Sequence, residues 1–107
     1  MPTAVIVASP EATTLAATNV SATGATLNGI VSSNGAVTTV TFVYGLTTSY
    51  GSAAIATPSP LAAGAADVDV SAAVGGLACN ARHHFRVVAQ SSLGTARGAD
   101  MTLMTAP

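Results

Sequence analysis

The sequence predicts an all-β fold: one two-sheet sandwich of seven strands, with a further β segment ahead of it. Three observations carry this. Apolar residues recur with period two along nearly the whole chain, and no stretch shows the i, i+3, i+4 recurrence of a helix. Thr, Val and Tyr dominate the extended runs, as half-buried pleated strands prefer. Gly, Asn, Ser and Pro interrupt the runs at intervals of about ten residues, the spacing of short antiparallel strands. The 107 residues suit a single domain, which at this size buries roughly two thirds of its unfolded surface without staples.

In chain order, residues 3–8 form the first extended run and Pro10 ends it. Residues 14–21 read as the first strand of the sandwich, and Ala22-Thr23-Gly24 turns the chain. Residues 25–31 form the second strand, with Ala25, Leu27, Gly29 and Val31 on one face. Asn34-Gly35 then marks a turn, because both residues tolerate positive φ. Residues 37–45 form the third strand, with Val40, Phe42 and Tyr44 inward. Residues 51–56 give a short edge strand, and Pro58 and Pro60 suit the loop after it. The Ala-rich residues 62–66 are not a helix, since Gly64 interrupts them and alternation resumes at once. Residues 67–74 alternate, with Asp67, Asp69 and Ser71 outward and Val68, Val70 and Val74 inward. Gly75-Gly76-Leu77 turns the chain into residues 83–90, whose inward face is His83, Phe85, Val87 and Ala89. A hairpin at residues 91–94 leads to a last strand over 95–105, with Met101 and Leu103 inward.

Composition narrows the function. Charged residues make up 7%, against about 25% in an ordinary soluble domain. Lysine is absent, and the cations are Arg82, Arg86 and Arg97. A Thr/Ser/Ala-rich surface of this kind suits secretion, glycosylation or permanent assembly, and points to an extracellular or cell-surface place. A net charge of −1 with three scattered arginines argues against a nucleic-acid partner, which needs clustered cations. No window approaches the ~18 apolar residues of a membrane span, so no membrane insertion is expected. Residues 1–10 lack the basic start of a signal peptide.

The segment ATLNGIVSSNGAVTTVTFVYGLTTSYG, followed by GLACNARHHFRVVAQSSLGTARGADMTLMT, resembles fibronectin type III modules of bacterial extracellular proteins. The most specific part is Gly76-Leu77 and then HHFRVVAQSSLG: a corner leucine, an aromatic, an alternating strand and a small polar hairpin. The resemblance spans residues 10–107 as one domain and leaves residues 1–9 as a β-prone extension. It implies an immunoglobulin-like sandwich with the first, second and fifth strands against the third, fourth, sixth and seventh. It implies no activity. The family's corner tyrosine is replaced by His83, and its buried tryptophan slot falls near Gly29. Leu77 and His83 are therefore expected to form a structural corner.

The chemistry-bearing residues point away from catalysis. His83 and His84 are adjacent on a strand and face opposite ways, so they cannot chelate one metal. His83 is expected buried and sensitive to alanine, His84 exposed and insensitive. Asp67 and Asp69 share a face, but calcium needs six to eight oxygens and no Asp/Asn-rich loop adjoins them. Neither a metal nor another cofactor is expected. The serines lie without a positioned His and Asp, and a small sandwich filled by its own core leaves no pocket for an enzyme. Cys79, the single cysteine, is either an inert thiol or half of a disulfide to a cysteine outside this chain. Arg97-Gly98-Ala99-Asp100 reads as structural and within a strand, and Asn19-Val20-Ser21 meets the glycosylation pattern. Arg86 is expected to pair with Asp100 across the last hairpin.

The N-terminal run Thr3, Ala4, Val5, Ile6, Val7 and Ala8 is uncharged, β-prone and apolar on both faces. It is expected to pair as a strand, either with its own domain or with a neighbouring copy, with Pro10 as the hinge. The leading expectation is a non-catalytic structural module: a repeat of a surface protein, or a fibre subunit that forms a homo-polymer by strand addition. The rival is a ligand- or carbohydrate-binding accessory module of a secreted enzyme. Sugar platforms stack on exposed aromatics, and here only Phe42, Tyr44, Tyr50 and Phe85 exist.

Overall fold

Alternation along the strands becomes two sheets that close on one core. The structure, a computed structural model, describes residues 9–107; the expectations for residues 3–8 lie outside the described residues. The strands are β1 (Glu11–Thr18), β2 (Ala25–Ser32), β3 (Thr39–Gly45), β4 (Ser52–Ile55), β5 (Val68–Val74), β6 (Arg82–Ser91), β7 (Gly94–Arg97) and β8 (Met101–Met104). One sheet has the order β1-β2-β5; the other runs β4-β3-β6-β7, with β8 also on β6. No helix occurs among the described residues, and so none long and apolar enough to cross a membrane.

Both inner faces supply the core. Leu27, Val40, Phe42, Phe85, Val87 and Ala89 have no exposed surface, and Val31, Val70 and Ala72 lie with them. Tyr44 and Met101, expected inward, are half-buried against this cluster. Gly29 explains the missing tryptophan. A Cβ there would lie 3.2 Å from Val87 and 3.0 Å from the Thr13 carbonyl oxygen, so the space is already filled.

Strand boundaries shift by one to three residues from expectation, and three of the shifts have a plain local cause. The first strand is Glu11–Thr18 rather than 14–21, because Asn19 takes a left-handed turn (φ 51°), which Asn tolerates. The third begins at Thr39, because buried Thr38 bridges to Leu61 while Val37 is exposed. The fifth begins at Val68, because Asp67 is left-handed (φ 48°) and its backbone N–H donates to Ser32 Oγ at 2.9 Å.

The largest correction concerns the last strand, expected continuous over 95–105. It is two strands, so the described residues hold eight. β7 pairs with Val88 opposite Arg97, and β8 pairs with Phe85 opposite Met101. Arg86 and Val87 therefore face three residues, Gly98, Ala99 and Asp100. This is a β-bulge, which bends a strand and re-aims a side chain. Gly98 makes it possible. Its N–H donates to the Val87 carbonyl at 2.8 Å. A Cβ on it would lie 2.8 Å from the Thr14 backbone nitrogen and 2.9 Å from Val87 Cγ1. Arg97-Gly98-Ala99-Asp100 is thus the break in the strand, not strand interior.

Pro10 is buried, and the Ser9 carbonyl accepts a bond from Asn34 Nδ2 at 2.8 Å. The expected hinge at Pro10 is therefore pinned to the domain.

Candidate functional site

The outward side of β6 carries Arg82, His84, Arg86 and Val88, because the inward side is taken by His83, Phe85, Val87 and Ala89. Arg97 stands opposite Val88 in register and shares that face. All three arginines of the chain therefore lie on one surface, the outer face of the five-stranded sheet. Sequence separation had made them look scattered; strand parity and pairing bring them together.

Tyr50 lies over this face from the β3–β4 connection. It is left-handed (φ 60°), a conformation a bulky residue adopts only when its surroundings enforce it. Its N–H donates to the Thr47 carbonyl at 2.9 Å. Gly45 permits the turn: a Cβ there would collide with the Tyr50 backbone. The Tyr50 hydroxyl donates to Asp100 Oδ1 at 2.8 Å, and His84 Nδ1 meets Asp100 Oδ2 at 2.9 Å. The Arg86 guanidinium lies 4.9 Å from the centre of the Tyr50 ring, within cation–π range. Arg86 Nε is buried without a hydrogen-bond partner.

Two sequence expectations are corrected here. Asp100 pairs with His84 and Tyr50, whereas Arg86 stacks on Tyr50. The bulge re-aims Asp100, so simple register did not foresee this. His84 is half-buried, not exposed, because that carboxylate holds it against the sheet.

Electrostatics follows the geometry. Burial pushes the Asp100 carboxyl up, but hydrogen bonds from His84 and Tyr50 and the charges of His84 and Arg86 outweigh it; the net is below the ordinary value. Burial pushes the Tyr50 hydroxyl up and the bond to Asp100 adds to this, against the opposing Arg86 charge. A carboxyl lowered on folding stabilises the fold fully above the unfolded carboxylate range, and this contribution is lost as pH falls through the lowered value. Acidification through that window is therefore expected to reduce the urea midpoint of the natural chain more than that of Asp100→Asn. Equal losses in the two proteins would contradict the linkage.

Beside this cluster runs an open groove of about 390 Å³, floored by Val43 and Val88 and flanked by Tyr50, Arg86 and Arg97. A second cleft, of about 520 Å³, opens at the end of the sandwich between the β3–β4 connection and the turn at Gly76-Leu77. Strand alternation alone predicts no such spaces; loops rising past the sheet ends create them.

The predicted corner residues line or adjoin that end cleft. Leu77 is buried and donates its N–H to the Thr23 carbonyl at 2.9 Å. His83 is 3% exposed, with Nδ1 3.1 Å from the Ala81 carbonyl oxygen. Thr105, which the sequence reading did not single out, ties the turn: its hydroxyl donates to Ala78 O at 2.7 Å and accepts from the Ala81 N–H at 3.0 Å. Cys79 is a free, exposed thiol. Among the described residues, no hydroxyl or thiol is hydrogen-bonded to a histidine, and no three His, Cys, Asp or Glu side chains group as metal ligands. Asp67 and Asp69 lie with the three-stranded sheet, away from both histidines.

The fold and this surface define a two-sheet β domain whose polar constellation lies on a sheet face. No family model matches the sequence, and no curated protein does. Its fold is similar to the sensor domain of the anti-sigma factor RsgI4 of Pseudobacteroides cellulosolvens. A shorter form of that domain gives a TM-score of 0.69 at 19% identity, covering 94% of this chain and 98% of that one. A longer form gives 0.66 at 18% identity, covering 91% and 89%. The solution structure of the same domain gives 0.67 at 18% identity, covering 89% and 74%. At these identities the likeness is one of fold.

Proposed function

We propose that this chain is a non-catalytic extracellular module of the fibronectin type III kind, acting through its surface. The observation that carries the reading is the outer face of the five-stranded sheet. It gathers three arginines, Tyr50 and the His84–Asp100 pair, yet among the described residues no nucleophile is bonded to either histidine. The similarity to sensor domains supports a module that recognises rather than transforms. Its place is a repeat of a surface protein or the subunit of an extracellular fibre. In that setting residues 3–8 add as a strand to a neighbouring copy, and Cys79 is available to a thiol outside the chain. Deleting residues 1–9 is expected to abolish the assembly that electron microscopy shows at about 1 M salt, where charge attraction is screened, while circular dichroism keeps its β signature. A deletion protein that still polymerises at that salt would refute strand addition.

A second reading is that of a ligand-binding, sensor-like module. It is favoured by the groove beside Tyr50, Arg86 and Arg97. Saturable ligand binding that Arg97→Ala removes, in a chain that stays monomeric, would select it over the structural module.

A further inference from the structure

The charges of this chain are sorted by sign onto opposite faces. Ala12 and Thr14 lie inward with their partners Val31 and Gly29, so Glu11 projects from the outer face of the three-stranded sheet. Asp69 stands opposite Ile30 on that face, and Asp67 reaches Ser32 Oγ at its end. All three carboxylates are exposed, and among the described residues none forms a salt bridge. The opposite surface carries Arg82, Arg86 and Arg97 with Asp100. That one acid is taken up by His84 and Tyr50, so it neutralises neither Arg82 nor Arg97. Three negative groups on one side, against three positive and one negative on the other, account for the net −1 of the whole chain.

From this we infer that two copies of the chain dock sheet to sheet, the acidic outer face of one against the arginine-bearing outer face of the next. The inference rests on reading the five-stranded face as the recognition surface, and adds its partner. Charge complementarity selects a second copy, because each copy carries both halves of the contact. The remaining side chains suit close approach of two sheets. Thr13 and Ile30 lie on the acidic face, and Thr41, Val43, Val88 and the 73%-exposed Ile55 on the other. Few charges besides the arginines and acids need desolvation. Because the two surfaces are different patches the contact is heterologous, and because they lie on opposite faces each docked pair leaves one acidic and one basic face free, to which further copies add. This contact needs no exchange of the N-terminal run.

Sedimentation velocity on the full chain tests it. At about 0.01 M salt, where charges act over ~30 Å, the sedimentation coefficient is expected to rise with concentration; at about 1 M, where they act over ~3 Å, that rise is expected to disappear. Two variants use exposed positions only. Arg82→Glu with Arg97→Glu makes both faces acidic, and Glu11→Lys with Asp69→Lys makes both basic. Each alone is expected to lose association by at least about tenfold, as lost interfacial charge pairs do, and an equimolar mixture to regain it. A natural chain that stays monomeric at low salt overturns the inference, as does association unaffected by salt and by both variants. Polyglutamate serves as the probe of the underlying reading. If a monomeric chain retains it through Arg82 and Arg97, the recognition face stands and the second copy falls. If it is not retained and the chain is monomeric, both fall.

Discussion

Phe85→Ala is expected to lower the unfolding free energy by about 3–5 kcal/mol. Only four aromatics are present, and Phe42 and Phe85 are the two with no exposed surface. They sit on neighbouring strands: Phe85 is opposite Tyr44, and Phe42 is opposite Val87. Around them the core is Val, Ala and Leu. Small side chains have little reach, and Gly29 already lets the β2 backbone lie close to Val87, so the vacated volume stays largely empty. A domain of this size holds only about 5–15 kcal/mol in total. Urea denaturation of Phe85→Ala should thus show a sharply reduced midpoint, with Phe85→Leu intermediate. A loss below about 1 kcal/mol would contradict a core hinged on two aromatics.

Gly45→Ala is expected to dismantle the Tyr50 clamp. The new methyl would lie 2.5 Å from the Tyr50 carbonyl carbon and 2.9 Å from its Cα, distances that packed atoms do not sustain. The backbone at Tyr50 must move, and the hydrogen bond to Asp100 and the stack on Arg86 go with it. The expected cost is about 1–3 kcal/mol, typical of overpacking. A spectroscopic sign separates this from general destabilisation. The chain has two tyrosines, and the Tyr50 hydroxyl titrates above its ordinary value because of burial and its bond to Asp100. In Gly45→Ala that titration should move down toward the ordinary range. Gly75→Ala is the control: a Cβ there meets nothing within 4 Å, so both stability and titration should stay as they are.

The sheets were legible in the sequence because period-two alternation translates directly into burial. His83, Phe85, Val87 and Ala89 are the inward residues of β6 as alternation requires, and the strands divide between the sheets as the family resemblance implies, apart from the split last strand. Alternation fails where the chain gains a residue. The bulge at Gly98, Ala99 and Asp100 has no signature except the glycine, and the need for glycine comes from Thr14, more than eighty residues earlier. The register of β7 carried on unbroken would set Asp100 opposite Phe85, on the inward side; the bulge shifts it by one residue, and Asp100 meets His84 and Tyr50 on the outer face. The clamp was hidden for a second reason: Tyr50 lies in a loop, and periodicity says nothing about where a loop side chain lands. The gathering of Arg82, Arg86 and Arg97 could have been found earlier. Arg82 and Arg86 share parity on one strand, and the hairpin at residues 91–94 returns Arg97 to the same side.

The proposed mode of action lies at the sheet faces, not at a catalytic centre at the end of the sandwich. Amide chemical shifts of the full chain, followed from dilute to concentrated solution at low salt, distinguish the two. Changes are expected along β6 and β7 around Arg86, Val88 and Arg97, with matching changes around Glu11, Ile30 and Asp69 on the opposite face. Changes confined to the end cleft around Leu77, Cys79 and His83, with both sheet faces silent, would contradict it.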